Sequence, residues 1–195
     1  PALVDKDGDI FVHWGSSSCP SSADLVHSGY AAGAYHGHSG SGANLLCLTT
    51  EPSVAHSVAT ASNSQSLLYG AKYMTNSPNM YPSALGEDYK DAVCAVCQGS
   101  GANFMQAGSM SCPSGWTKEY DGYLMGPYYG HQEGESVCVS LAFESRPSSS
   151  SSGANAHYLY YTESRCGSFP CQPGEYTEFR ELGCVVCTAP SAGEV

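Results

Sequence analysis

The chain has 195 residues, ten of them cysteine, and sets 7 Lys and Arg against 18 Asp and Glu for a formal charge of −11. That balance repels polyanions and leaves no basic stripe, which argues against nucleic acid and anionic membrane surfaces as partners; no run of about 18 apolar residues is present to insert in a bilayer. An even number of cysteines at repeated spacings implies a disulfide framework made in an oxidising compartment, and hence a secreted, extracellular protein.

The start, Pro1-Ala2-Leu3-Val4, shows no signal peptide and reads as a mature end. Next comes Asp5-Lys6-Asp7-Gly8-Asp9, a turn in which Asp5, Asp7 and Asp9 could hold calcium. An EF-hand loop needs glycine sixth and glutamate twelfth. Here Gly8 is fourth and Ser16 twelfth, so a solvated turn is the simpler reading and no cofactor is expected. Ile10–Trp14 has the composition of a strand. Further strands are expected at Asn44–Leu48, Ser136–Val139 and Tyr158–Tyr161, with turn residues every eight to twelve positions and no convincing amphipathic helix. The expected class is all-β. Pro147–Gly153 reads as a low-complexity surface loop, and Thr49–Gln65 is a longer polar stretch at the comparable place.

Self-similarity is the main signal. At a constant offset of 93, Cys19 falls on Cys112, Pro20 on Pro113, Gly29-Tyr30 on Gly122-Tyr123, Tyr35 on Tyr128, and Gly37-His38 on Gly130-His131. Cys47 then lies 28 after Cys19 and Cys138 lies 26 after Cys112; Tyr69 and Tyr160 both follow 22 residues later. Each unit closes on a matching pair, Cys94-Ala-Val-Cys97 and Cys184-Val-Val-Cys187. This implies an internal duplication, divided as an amino-terminal arm with the first strand (1–18), a first unit (19–108), a second unit (109–190) and a tail (191–195). Cys166 and Cys171 alone lack counterparts and can close a small loop, leaving eight cysteines to form a symmetrical pattern, four per unit.

These cysteine positions, with Cys112-Pro-Ser-Gly-Trp116, Gly122-Tyr123 and the closing Cys-x-Val-Cys, resemble the carboxy-terminal non-collagenous domain of type IV collagen. The run Ile10–Pro20 is still more similar to the related domain of invertebrate short-chain collagens and stand-alone secreted proteins. The resemblance covers about Ile10 to Cys187. It implies two pseudo-symmetric, disulfide-braced β-rich halves that exchange hairpin strands, and the bridges Cys19–Cys97, Cys47–Cys94, Cys112–Cys187 and Cys138–Cys184, with Cys166–Cys171 local. Two features depart from the family. The first unit lacks the small inner disulfide, and no Gly-X-Y repeat precedes Ile10 to form a triple helix.

Enzymatic readings find little support, and the chain is expected not to be an enzyme. The two Cys-x-x-Cys pairs lie 90 residues apart, each with a disulfide partner to hand, so zinc and thioredoxin-type redox roles are disfavoured. Gly37-His-Ser-Gly-Ser41 misses the nucleophile-elbow pattern at its last position. The duplicated Tyr-x-Gly-His is more informative. Tyr35, His36 and His38, with Asn44, and Tyr128, Tyr129 and His131 are expected on loops, where rings can cover a pyranose face while imidazole and amide groups bond its hydroxyls. If the halves faced one another, His36, His38 and His131 could also share a metal. A surface low in charge (13%, against about 25% in an average protein) and rich in Tyr, Ser, Gly and Asn suits such contacts. The expectation is a secreted binding module, lectin-like with two similar sites, its partners glycans or matrix components. The alternative is a self-assembling, homo-oligomeric matrix scaffold, as the resemblance implies. A multimeric lectin would combine both.

Overall fold

The short apolar runs between Gly, Pro and Ser turns fold as ten strands: β1 (Ile10–Trp14), β2 (Asp24–Gly33), β3 (Leu46–Thr49), β4 (Tyr69–Met74), β5 (Val93–Gln98), β6 (Asn103–Ala107), β7 (Thr117–Gly126), β8 (Val137–Ser140), β9 (His157–Tyr161) and β10 (Gly183–Thr188). The computed structural model describes residues 8–53, 65–75, 86–153, 155–173 and 175–190. Among these there is no helix, and the protein is all-β. The calcium-type turn falls outside the described residues at Asp5 and Asp7. The backbone of Asp9 bonds to Gly99 and Gly101 at 3.1 Å each and leads into β1.

The Cys-x-x-Cys segments are central strands. Val93–Gln98 pairs with β1 on one side and β2 on the other; Gly183–Thr188 does the same between β6 and β7. Cysteines three apart on a strand face opposite ways, so each pair can staple both faces. The bridges are Cys19–Cys97, Cys47–Cys94, Cys112–Cys187, Cys138–Cys184 and Cys166–Cys171, the same five pairs that the collagen-type resemblance implies. Such a framework is typical of extracellular proteins.

The strand ladders repeat residue for residue. In β2–β5, Leu25 pairs with Cys97, His27 with Val96 and Gly29 with Cys94; in β7–β10, Lys118 pairs with Cys187, Tyr120 with Val186 and Gly122 with Cys184. Both ladders carry one extra residue at the same place, Val26 in one and Glu119 in the other. The β2–β3 and β7–β8 ladders agree likewise, Gly29 with Thr49 and Gly122 with Ser140. So do β1–β5 and β6–β10: Ile10 with Gln98, Asn103 with Thr188. Asn103–Ala107, placed by the cysteine spacing at the end of the first unit, pairs with the second, as β1 pairs with the first. The matching ladders span Ile10–Gln98 and Asn103–Thr188, called the first and second half below.

The halves are not independent. Both apolar clusters draw on each of them: Trp14, Tyr73 and Cys94 with Met125, Val139 and Leu159 in one, Phe11 and Cys97 with Tyr120, Cys138 and Val186 in the other. Two parallel pairings cross between halves, β1 with β8 at Trp14–Val139 and β4 with β9 from Ala71–His157 to Met74–Tyr160. Following hydrogen-bonded neighbours from β7 through β8, β1, β5, β2, β4 and β9 leads back to β7, so the sheet closes on itself. Among the described residues the halves interlock through these pairings and not through an exchanged hairpin.

The Gly-Tyr pairs now have a physical reason. A Cβ on Gly122 would stand 1.9 Å from the carbonyl oxygen of Val139, and one on Gly29 2.4 Å from that of Leu48. Only glycine lets the neighbouring strand come this close. Gly122→Ala is expected to cost at least about 2–3 kcal/mol by overpacking, whereas Gly115→Ala, in open space but at φ 84°, should cost about 1–2 kcal/mol from backbone strain. Denaturant unfolding of the two variants checks the order.

Candidate functional site

Each Tyr-x-Gly-His segment folds into one tight turn. The His38 N–H donates to Tyr35 O at 3.1 Å, and the His131 N–H to Tyr128 O at 2.9 Å. The glycine between is needed because the tyrosine ring folds back over it: a Cβ on Gly37 would lie 2.8 Å from the Tyr35 ring, and one on Gly130 3.1 Å from the Tyr128 ring. Each turn thereby sets its histidine beside its tyrosine, with ring centroids 4.8 Å apart in the first half and 5.2 Å in the second. A second tyrosine from the adjoining strand completes each group. Tyr69 lies 5.2 Å from Tyr35 and 5.8 Å from His38; Tyr160 lies 5.6 Å from Tyr128 and 5.8 Å from His131.

These two Tyr–His–Tyr triads do not stand apart as two separate sites, as the sequence suggested. They join. The His36 ring packs 4.9 Å from His131 and 4.5 Å from Tyr158, its Nδ1 lies 3.1 Å from Ala156 O, and its carbonyl accepts the Gln132 N–H at 3.0 Å. The equivalent of His36 in the second half is Tyr129, which among the described residues has Tyr128 (4.1 Å) as its one ring partner and is 92% exposed. Between the two turns lies an open cleft of ≈ 500 Å³, walled by His36, His38, Ser39, His131, Gln132 and Glu133.

Asn44 does not reach this cluster. The chain leaves the first turn through Ser41, at φ 95°, and is held by the Glu135 N–H to Ala43 O bond; Asn44 then lines a different cavity beside Leu45 and Phe104. Tyr69, Tyr160, Tyr158 and Gln132 belong to the site but were not among the candidates. The signal for two of them was present, since Tyr69 and Tyr160 keep the same spacing from their cysteines. Shared metal binding by His36, His38 and His131 does not fit the geometry. Among the described residues the three-residue grouping of candidate ligand atoms is Cys166, Cys171 and Glu178, whose two sulfurs are bonded to each other.

Burial holds the imidazoles of His131 and His157 below the ordinary histidine range, with the charge of His36 adding to the effect in both, and burial likewise lowers that of His13. His157 bonds Ala34 O through Nδ1 at 3.0 Å while its Nε2 is buried without a partner. A depressed histidine pKa means that the unfolded chain binds the extra proton first. The stability these neutral imidazoles contribute is thus complete above about pH 6.5 and is lost as pH falls through their lower folded values. Melting temperature should fall between pH 7.5 and pH 5, and His157→Asn should flatten that fall; thermal melts at the two pH values test both.

Comparison with known protein families and with curated proteins finds no match for this chain.

Proposed function

We propose that this chain is an extracellular assembly module that joins copies head to tail, repeating between molecules the contact that joins its own two halves. One observation carries the reading: surfaces that the halves bury against each other have equivalents elsewhere on the chain that lie open. In the internal contact, β1 of the first half meets β8 of the second, and Val139 is 0% exposed; its first-half equivalent on β3, Leu48, is 41% exposed. Leu159, at the β4–β9 contact, is 1% exposed, and its equivalent Leu68 is 46% exposed. Phe11 on β1 is buried and its equivalent Phe104 on β6 is open, as is Tyr129 where His36 is packed.

The contact is heterologous, because β1 corresponds to β6 and not to β8. A heterologous surface left open at both ends accepts another copy at each, giving a ring if the rotation closes and a filament if it does not. Among the described residues neither edge is defended. β3 (Leu-Cys-Leu-Thr) and β6 (Asn-Phe-Met-Gln-Ala) contain no charge and no proline, the devices by which exposed edges usually resist pairing. On this reading β6 of one copy lies beside β3 of the next, with Tyr129 against His38 and Leu67 of that copy. The resemblance to collagen-type domains, which form trimers, favours a closed ring, and the repeated ladders support descent of both halves from one duplicated segment. Light scattering across a concentration series tests the proposal. Masses at a fixed multiple of the chain support it, and a single-chain mass at every concentration refutes it.

A further inference from the structure

We infer that the cleft between the two Tyr-x-Gly-His turns binds a neutral carbohydrate. Its walls combine the imidazoles of His36, His38 and His131, the Ser39 hydroxyl, the Gln132 amide and the Glu133 carboxylate within one depression of ≈ 500 Å³, within the size range of small-ligand sites. Tyr35 and Tyr128 flank it, each packed on the histidine of its own turn. The lining offers both hydrogen-bond donors and acceptors, and tyrosine rings, a type whose faces suit the C–H face of a pyranose, pack on its histidines.

Other ligand classes match the cleft less well. A phosphate, a sulfate or an acidic sugar would meet Glu133 and no Lys or Arg among the lining residues. A divalent ion would need three ligand atoms in mutual reach, and these imidazoles do not converge. A lipid chain would find polar walls. A strongly basic peptide would have a single carboxylate to pair with. Groups that both give and accept hydrogen bonds, at no net charge, remain as the complement, and a sugar's vicinal hydroxyls have that pattern. The Gln132 side chain is available for this role, since its structural contact to His36 is made by the backbone N–H. His131 Nδ1 is likewise buried without a partner in the protein.

The inference does not require assembly, although His38 lines the cleft and on the proposed assembly also meets Tyr129 of the neighbouring copy. One cleft per chain suffices, and head-to-tail joining would multiply it into an array whose avidity exceeds that of a single site. The test uses the full chain on an array carrying neutral, sialylated and sulfated glycans, followed by titration calorimetry with the best neutral glycan. Gln132→Ala and Ser39→Ala, both at half-buried or exposed positions, and His131→Ala are compared with wild type, with mass and melting temperature measured on the same samples. The expected result is binding of neutral glycans, weakened at least tenfold by Gln132→Ala at unchanged mass and melting temperature, and by His131→Ala at unchanged mass. Binding of no neutral glycan, a preference for the charged ones, or equal affinity in all three variants overturns it. Because mass is read separately, a wild-type chain that assembles yet binds no neutral glycan refutes this inference alone.

Discussion

Leu48→Asp is expected to leave each chain folded and to abolish association, while the same change at its equivalent, Val139→Asp, is expected to prevent folding. The two residues occupy one position in the repeated ladder, Leu48 opposite Tyr30 and Val139 opposite Tyr123. Val139 also meets Trp14 across the halves and sits in an apolar cluster with Phe143, Met125 and Leu159. A carboxylate there has no cation to pair with and costs several kcal/mol, a large part of the roughly 5–15 kcal/mol by which a domain is stable. In the single chain Leu48 faces solvent, where an exposed substitution changes stability by about 0.5 kcal/mol or less. Buried beneath β6 of a neighbouring copy, the same carboxylate would meet Phe104 and Met105. Association should weaken by about a hundredfold or more, since each 1.4 kcal/mol is a factor of about ten. Light scattering with thermal melts on both variants checks the pair. Leu48→Asp assembling like wild type would remove the support for the proposed contact.

The second large effect concerns the bridges. Cys138–Cys184 closes a separation of 46 residues, with both sulfurs buried, whereas Cys166–Cys171 closes one of 5 at the surface. On the chain-entropy account the first contributes roughly 4 kcal/mol and the second roughly 2 kcal/mol. Replacing Cys138 and Cys184 by serine also sets two hydroxyls into an apolar cluster with Phe11, Tyr120 and Leu124. That double variant should fail to fold, or fold with most of its stability gone. Cys166→Ser with Cys171→Ser should stay folded, because the Glu178 carboxylate still accepts the N–H of residue 166 (2.7 Å) and the Ser164 and Phe179 backbone bonds are unaffected. Guanidinium unfolding curves separate the two cases. Equal losses would show that loop size and burial do not govern these bridges.

Cysteine spacing carried much of the fold because each Cys-x-x-Cys is a central strand whose register is pinned twice over, by a disulfide on either face. The same spacing did not show that β6 pairs with β10. β6 contains no cysteine, and its kinship with β1 lies in its pairing partner, not in residue types: Ile-Phe-Val-His-Trp shares only one aromatic position with Asn-Phe-Met-Gln-Ala. The long strands β2 and β7 were also not legible. Each passes three neighbours along its length, so its burial runs from open to closed instead of alternating. The site was half legible. Tyr35, His38, Tyr128 and His131 are where a duplicated turn would put them, but their merging through His36 depends on how one half seats on the other. No periodicity within a half encodes that placement.

That placement is the centre of the account, and mixed-cysteine trapping tests it most directly. Trp14 and Val139 are register partners across the halves, and their equivalents are Ala107 and Leu48. Ala107→Cys and Leu48→Cys are prepared as separate proteins and mixed under mild oxidation, since a bridge forms only where Cα atoms come within about 7 Å. Head-to-tail assembly predicts a dimer linked from 107 of one chain to 48 of the other, in the mixture and in neither protein alone. No link in the mixture, or Ala107→Cys linking to itself as a two-fold contact would require, contradicts it.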